Sequence, residues 1–175
     1  MQVQKQSGKS LADVFSQIEM VVIFDSSGSM DYHDAANGKS RYDAACLELV
    51  HVQSQAPGKV AIISFSDNAQ WCFNGIPEML GMSTNLAGAL KFAKQVDNPY
   101  IKFVVISDGE PNSRTEALEV AATLKGKINC VYVGPEMGEG REFLKELANQ
   151  HNGTFDLRAF AASLSESILP MLEAK

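Results

Sequence analysis

Short apolar runs alternate with segments of helical periodicity along most of the chain. Apolar runs that are too short for a helix, and that have no polar face, predict strands buried on both sides. The four longest lie at residues 20–25, 60–65, 101–107 and 128–133. Two shorter strands are predicted at 69–73, as an antiparallel edge, and at 153–156.

Segments of helical spacing lie between these strands, and several carry start signals. Ser40 is suited to cap the first helix, Thr84 to start the second, and Ser113 to open a capping box for the third. Two further helices are predicted over 141–151 and 160–172. The first helix is expected to bury a stripe of small and aliphatic side chains, namely Ala44, Ala45, Leu47 and Val50.

Strands that alternate with helices imply a mostly parallel sheet with right-handed crossovers. The predicted fold class is therefore α/β, a doubly wound, Rossmann-like sheet with helices on both faces. We expect one domain over residues 19–172, an extension over 1–18 that begins a short helix at Ser10, and a tail over 173–175. Ligands of such folds bind at the carboxyl ends of strands, where the strand order reverses.

Charge and cysteine content narrow the classes of function. The 175 residues include 15 basic and 21 acidic side chains, and the net charge of -6 disfavours binding to nucleic acid or to acidic membranes. Cys46, Cys72 and Cys130 form no C-x-x-C pair, which predicts free thiols in a reducing compartment. The sequence shows neither a signal-peptide core nor an apolar run of transmembrane length. We therefore expect a cytoplasmic protein with no membrane span.

The polar residues with the most chemical content follow the first predicted strand. Asp25 ends the apolar run, where a buried carboxylate is costly unless a cation meets it. Hydroxyls follow at Ser27 and Ser29, with Gly28 expected to allow a tight turn between them. Oxygen ligands at short spacing suit a hard divalent ion such as Mg2+. The competing interpretation is that Asp25 only begins a turn and the serines cap the next helix.

Two later loop segments also carry hydroxyl or carboxylate side chains. Asp25-Ser26-Ser27-Gly28-Ser29 is followed by Ser83-Thr84-Asn85-Leu86, and then by Ser107-Asp108-Gly109 at the end of an apolar strand. Together they resemble the metal-ion-dependent adhesion site (MIDAS) of von Willebrand factor type A (vWA) domains. The resemblance implies a sheet order of 3-2-1-4-5-6 with a short edge strand. It also implies a set of metal ligands made up of Asp25, Ser27, Ser29, Thr84 and Asp108.

The resemblance implies a binding module that is not an enzyme. Its cofactor is Mg2+, or else Mn2+ or Ca2+, held by neutral hydroxyls and with one coordination position open. A partner protein presenting an acidic residue would fill that position. Related intracellular proteins belong to multiprotein assemblies, some of which include an AAA+ ATPase, so such a complex is a candidate partner.

Two other functions compete with this interpretation. The first is an Mg2+-dependent hydrolase or phosphatase with Asp25 as nucleophile, which superficially resembles the haloacid-dehalogenase superfamily. That chemistry needs a second carboxylate at the position of Ser27 and a lysine beside Thr84 or Asp108, and the sequence has neither. The second is a scaffold whose metal site is idle, although every ligand type of the motif is present.

Several other residues are candidates for the site, and for most of them a structural or solvated role is expected. Asp31, His33 and Asp34 are expected to be solvated, and Trp71 to pack under a helix. Contact with a partner is as plausible as plain solvation for the loop residues Glu110, Asn112 and Arg114. The remaining candidates are expected to be structural, and they are His51 and His151 in helices, and Met79, Leu80 and Met82 as a satellite of the core.

Overall fold

The computed structural model of the protein describes residues 15–174. Its strands are β1 Met20–Asp25, β2 Val60–Phe65, β3 Ala69–Trp71, β4 Lys102–Ser107, β5 Lys127–Tyr132 and β6 Phe155–Leu157. They form one sheet in the order β3-β2-β1-β4-β5-β6. The edge strand β3 is antiparallel to β2, and all other neighbouring pairs are parallel. The predicted fold class and strand order are confirmed, and the predicted strand bounds differ by two residues or fewer.

Five helices cover the sheet, and their bounds are α1 Arg41–Gln55, α2 Leu86–Ala93, α3 Arg114–Ala121, α4 Gly140–Gln150 and α5 Leu164–Glu173. The side chains of β1 alternate between two apolar layers. Val21 and Ile23 pack with residues of α2, α3 and α4, whereas Val22 and Phe24 pack with α1 and α5. A strand buried on both faces therefore reads as the continuous apolar run seen in the sequence. The short helix predicted from Ser10 begins outside the described residues.

Side-chain caps fix the starts of three helices. The hydroxyl of Ser40 accepts from the backbone N–H of Asp43 at 3.0 Å, and that of Ser113 accepts from Glu116 at 3.2 Å, which confirms both predicted caps. The second helix starts later than predicted, because Asn85 is its cap and accepts from the N–H of Gly88 at 3.0 Å. Thr84 therefore lies in the loop before α2.

Two predictions about helix α1 and the last helix were wrong in part. The buried stripe of α1 runs through Arg41, Ala45, Leu49 and Val52, and Leu47 and Val50 face solvent. The predicted and the observed sets of residues both have helical spacing. The observed set is the buried one because it contacts α5 and β1. The last predicted helix divides into a 3-10 turn at Ala159–Ala161 and α5, since Phe160 and Ser163 adopt positive φ angles of 57° and 51°.

The topology brings the ends of β1 and β4 together. These strands are parallel neighbours, with Phe24 opposite Ile106, and β2 continues the sheet on the other side of β1. The strand order therefore reverses beside β1, and doubly wound folds bind their ligands at such an edge. Asp25 ends β1 and Asp108 follows β4, so the fold places both carboxylates at this edge of the sheet. Within residues 15–174 there is no helix long and apolar enough to cross a membrane.

Candidate metal centre

Asp25 lies fully buried at the end of β1, and both of its carboxylate oxygens accept hydrogen bonds. The backbone N–H of Ser27 donates to Oδ1 at 2.9 Å, and the hydroxyl of Ser107 donates to Oδ2 at 2.5 Å. Burial raises the pKa of Asp25 to about 6, and these hydrogen bonds from neutral donors only partly oppose the rise. Among the residues that the structure describes, the Asp25 carboxylate thus has no positively charged hydrogen-bond partner.

Hydroxyls of the turn after β1 connect Asp25 to the end of β4. The Oγ atoms of Ser27 and Ser29 lie 3.3 Å apart, and Ser29 Oγ donates to Oδ1 of Asp108 at 2.7 Å. A 3-10 turn at Gly28–Asp31 aligns the two serines. Gly28 does not use a positive φ there, and a Cβ at its position would lie 3.0 Å from Cε of Met82. The glycine therefore admits Met82 rather than permitting the turn.

Thr84 lies in a loop that is paired with the loop after β4. Its backbone N–H donates to Oδ1 of Asn112 at 3.0 Å, and the N–H of Asn112 donates back to the carbonyl of Thr84 at 2.9 Å. Among the residues that the structure describes, the Thr84 hydroxyl makes no hydrogen bond to the other four predicted ligands. The structure thus joins Asp25, Ser27, Ser29 and Asp108 by direct contacts. It connects Thr84 to the loop after β4 through Asn112.

The sequence patterns did not predict that a buried arginine lies at this centre. Arg41, the first residue of α1, is 4% exposed and donates from Nη1 to Oδ2 of Asp108 at 2.6 Å. Its Nε and Nη2 donate to the two carboxylate oxygens of Asp34 at 2.9 and 2.5 Å. The rings of Tyr32 and Phe160 lie 5.3 and 5.7 Å from the guanidinium carbon. One signal was available, because a basic residue in the first turn of a helix opposes the helix dipole.

The loop before α1 takes part in the centre through the contact of Asp34 with Arg41, and it supplies none of the predicted metal ligands. Hydrogen bonding to Arg41 lowers the pKa of Asp34, whose side chain is otherwise partly solvated. Asp31 is exposed, and His33 is exposed with Nδ1 2.9 Å from the carbonyl of Gly38. The expected solvation is therefore correct for Asp31 and His33 and incomplete for Asp34.

The remaining rim residues divide into supporting and exposed groups. Arg114 forms ion pairs with Glu110 at 2.8 Å and Glu146 at 3.3 Å at the surface. Met82 is 82% exposed, and Met79 is exposed as well, so the prediction that these two belong to a satellite core was wrong. The loop that carries them is fixed by polar contacts, including one from Ser83 Oγ to Asp67.

Trp71 packs as the sequence predicted. Its ring lies 5.7 Å from that of Phe92, which belongs to α2, and 5.0 Å from that of Phe15. Of the two helical histidines, His51 is exposed on α1 and His151 caps the end of α4, half-buried. Burial lowers the pKa of His151.

The donor atoms of the centre fit a hard divalent cation. Asp25, Ser27, Ser29 and Asp108 offer oxygen atoms only, as Mg2+ and Mn2+ prefer. Over residues 15–174 no group of three or more histidine, cysteine, aspartate or glutamate side chains is arranged to hold a metal. A metal at this centre must therefore depend on hydroxyl ligands, with two carboxylates of which one already contacts Arg41.

Comparisons with known proteins show which solved structures share this fold. No protein-family model and no curated protein matches the chain. Among solved structures, a von Willebrand factor type A protein from Catenulispora acidiphila aligns over 89% of this chain and 42% of its own, with 18% identity and a TM-score of 0.69. The manganese-loaded TRAP protein of Plasmodium vivax aligns over 90% and 74% respectively, with 16% identity and a TM-score of 0.62.

A third solved structure carries a metal in a motif of its own. Proximal thread matrix protein 1 from the mussel byssus, with a zinc-occupied MIDAS motif, aligns over 88% of this chain at 17% identity and a TM-score of 0.60. The chain spans 44% of that protein, and thus less than half of it and of the Catenulispora protein. At these identities the likeness concerns architecture. The chain has the fold of von Willebrand factor type A domains.

Proposed function

We propose that this chain is a noncatalytic protein-binding module that depends on a divalent cation. The observation that carries the proposal is the hydrogen bond of 2.7 Å between Ser29 Oγ and Asp108 Oδ1. It joins two chain segments that are 79 residues apart into one cluster of hydroxyl and carboxylate oxygens. An oxygen cluster at the reversal of the strand order is a suitable place for a hard cation.

The residues divide into direct ligands and charged supports. Ser27, Ser29 and Thr84 would hold the cation through their hydroxyls, and Asp25 and Asp108 would supply negative charge directly or through water. A bound Mg2+, or Mn2+ or Ca2+ in its place, would supply a positive charge with one open coordination position. Because hydroxyls are neutral, the position favours a carboxylate from a partner protein.

The surface around the centre indicates what else the partner should contain. Tyr32 and Met82 flank the turn after β1, and their side chains are 62% and 82% exposed. Large exposed apolar side chains beside a polar site are typical of contact surfaces, and methionine adapts to varied shapes. We therefore expect a partner loop in which apolar side chains flank the acidic residue.

The cysteines and the proposed binding role indicate the setting of the module. All three cysteines are free thiols, and Cys72 and Cys130 are buried, which is consistent with the reducing cytoplasm. Membership of a multiprotein assembly follows from the proposed binding role. An AAA+ ATPase complex as the partner is a hypothesis that rests on the sequence resemblance alone.

The geometry disfavours Asp25 as the nucleophile of a phosphatase. Its carboxylate is fully buried, and both oxygens already accept hydrogen bonds from Ser27 and Ser107. A nucleophile needs an oxygen that can reach the substrate, so this arrangement supports a structural and electrostatic role instead. A generic phosphatase assay with Mg2+ should show no turnover that Asp25→Asn abolishes.

The proposal is tested by titrating the purified protein with Mn2+ and following free Mn2+ by electron paramagnetic resonance. Ser29→Ala should weaken binding by about tenfold or more, because it removes a ligand and the contact to Asp108. Ser54→Ala is the matched control, since the Ser54 hydroxyl is exposed and bonds only to the carbonyl of His51 at 2.7 Å. Equal Mn2+ affinity in the two variants would remove the basis of the proposal.

A further inference from the structure

Arg41 places a positive charge beside the proposed metal centre, where it opposes the binding of a cation. Its guanidinium contacts Asp108, one of the two carboxylates of the proposed centre, at 2.6 Å. We propose that Arg41 is a positioning residue and internal counter-ion, which weakens cation binding by the free protein and strengthens the demand for a partner carboxylate. This inference rests on the proposed function and names what regulates the same site.

The guanidinium is held by two carboxylates and two aromatic rings. Asp34 accepts two of its hydrogen bonds in a bidentate arrangement, and Asp108 accepts the third. The rings of Tyr32 and Phe160 lie 5.3 and 5.7 Å from the guanidinium carbon. Asp34 and Asp108 both raise the pKa of Arg41, so the residue is charged at neutral pH.

The two carboxylate oxygens of Asp108 accept hydrogen bonds from different partners. Oδ2 accepts from Arg41, and Oδ1 accepts from Ser29 in the serine turn. Only one oxygen of Asp108 therefore faces the proposed ligands. Its negative charge is shared with a guanidinium at hydrogen-bonding distance, so the attraction that Asp108 exerts on a dication is reduced.

The sharing of Asp108 between two cations favours three-part binding. Asp34 balances the charge of Arg41 in the overall sum, so the effect of Arg41 is local: its guanidinium lies against Asp108 and competes with a dication for that carboxylate. A carboxylate from a partner would supply the negative charge that Asp108 shares with Arg41. Cation and partner should accordingly bind cooperatively, each raising the affinity of the other by the same factor.

The test compares Mn2+ binding by the wild-type protein, Arg41→Gln and Arg41→Lys, with free Mn2+ followed by electron paramagnetic resonance. Arg41→Gln removes the charge and keeps a donor, so its Mn2+ affinity should rise by about tenfold. Arg41→Lys keeps the charge and should stay close to wild type. Circular dichroism melting shows whether each variant is folded at the titration temperature.

A second measurement needs no variant and uses acetate as the carboxylate probe. Adding acetate, with chloride at the same ionic strength as control, should raise the Mn2+ affinity of the wild-type protein. The gain should be smaller in Arg41→Gln. Absence of any acetate effect on the wild type overturns the inference even if Arg41→Gln does not fold.

The outcomes separate this inference from the proposed function. Mn2+ binding that is equal in the wild type and Arg41→Gln, or weaker in the variant, overturns the role of Arg41 and leaves the cation site intact. Binding by Arg41→Gln alone supports the inference. No binding by any of the three proteins overturns the proposed function together with the inference.

Discussion

Asp25 and Asp108 follow neighbouring parallel strands and are buried to a similar degree, yet their charges meet different partners. Asp108 contacts the guanidinium of Arg41 at 2.6 Å and the hydroxyl of Ser29 at 2.7 Å. Within residues 15–174, Asp25 receives only neutral donors, from the backbone of Ser27 and the hydroxyl of Ser107. The positive partner of Asp108 is built into the fold, whereas under the proposed function that of Asp25 is the bound cation.

The difference shows what hydrogen bonds can and cannot do for a buried charge. Two good hydrogen bonds leave the pKa of Asp25 at about 6, above the ordinary value of 3.8. Desolvation therefore outweighs neutral donors, which supply dipoles but no opposite charge. A cation beside Asp25 would lower this pKa again, so the end of β1 is the part of the centre that gains most from a metal.

The largest effect is expected from breaking the built-in pair at Asp108. Asp108→Ala leaves Arg41 with Asp34 as its only anion, and loss of one partner of a buried pair is strongly destabilising. We expect a fall of about 3 kcal/mol in the free energy of unfolding, measured by urea denaturation in EDTA.

Its matched control is an exposed ion pair. Lys59 and Glu19 lie 2.9 Å apart with about half of each side chain exposed. Lys59→Ala should cost less than about 1 kcal/mol, because water screens such pairs. Similar losses in the two variants would mean that the pair between Arg41 and Asp108 is no stronger than a surface contact.

How much the sequence predicts differs between these two carboxylates. The apolar runs place β1 and β4, and the alternation of strands and helices makes their carboxyl ends meet, so the approach of Ser29 to Asp108 is foreseeable. The pairing of Arg41 with Asp108 joins residues 67 positions apart and leaves no periodic mark. Arg41 also lies outside the three short motifs that carry the family resemblance, so the resemblance gives no information about its charge.

The face of a helix that turns inward was less predictable than the helix itself. Stripes through Leu47 and through Leu49 both have helical spacing, and only contacts with α5 and the sheet decide between them. Asn85 displaced Thr84 as a cap for a similar reason. Both residues are good caps, and the pairing of Thr84 with Asn112 decides which one starts α2.

The second prediction tests the unmet charge of Asp25 through pH. The folded pKa of about 6 lies above the ordinary value of 3.8, so the folded state holds the proton more tightly than the unfolded state. Without metal, burial of this group therefore costs nothing below about pH 4 and costs most above pH 6. The full difference corresponds to as much as about 3 kcal/mol of stability.

Asp25→Asn removes this dependence, because the amide carries no charge at any pH. In EDTA the variant should gain stability relative to wild type as the pH rises from 4 to 7.5, and urea denaturation at both values measures the gain. The acceptor for Ser27 is kept, and Ser107 Oγ has the carbonyl of Gly109 at 3.4 Å as an alternative partner. A difference between variant and wild type that does not change with pH would contradict the assignment of the pKa.

The smallest effect concerns a neutral group at the same edge of the sheet that has no partner at all. The Tyr132 side chain is fully buried, and among residues 15–174 its hydroxyl finds no hydrogen-bond partner. It lies against Gly134 and Gly138, where an added Cβ would overlap it. An unpaired buried hydroxyl is unfavourable, so its removal should do no harm.

Tyr132→Phe should therefore leave the free energy of unfolding unchanged or raise it by about 1 kcal/mol. The matched control is Tyr42→Phe, because the Tyr42 hydroxyl donates to the carbonyl of Pro77 at 2.6 Å. That variant should lose about 1 kcal/mol, and urea denaturation distinguishes the two signs. A loss at Tyr132 as large as that at Tyr42 would show that its hydroxyl is bonded, for instance to an internal water. Tyr132 would then resemble Asp25 under the proposed function, as a buried polar group that is completed by something from solution.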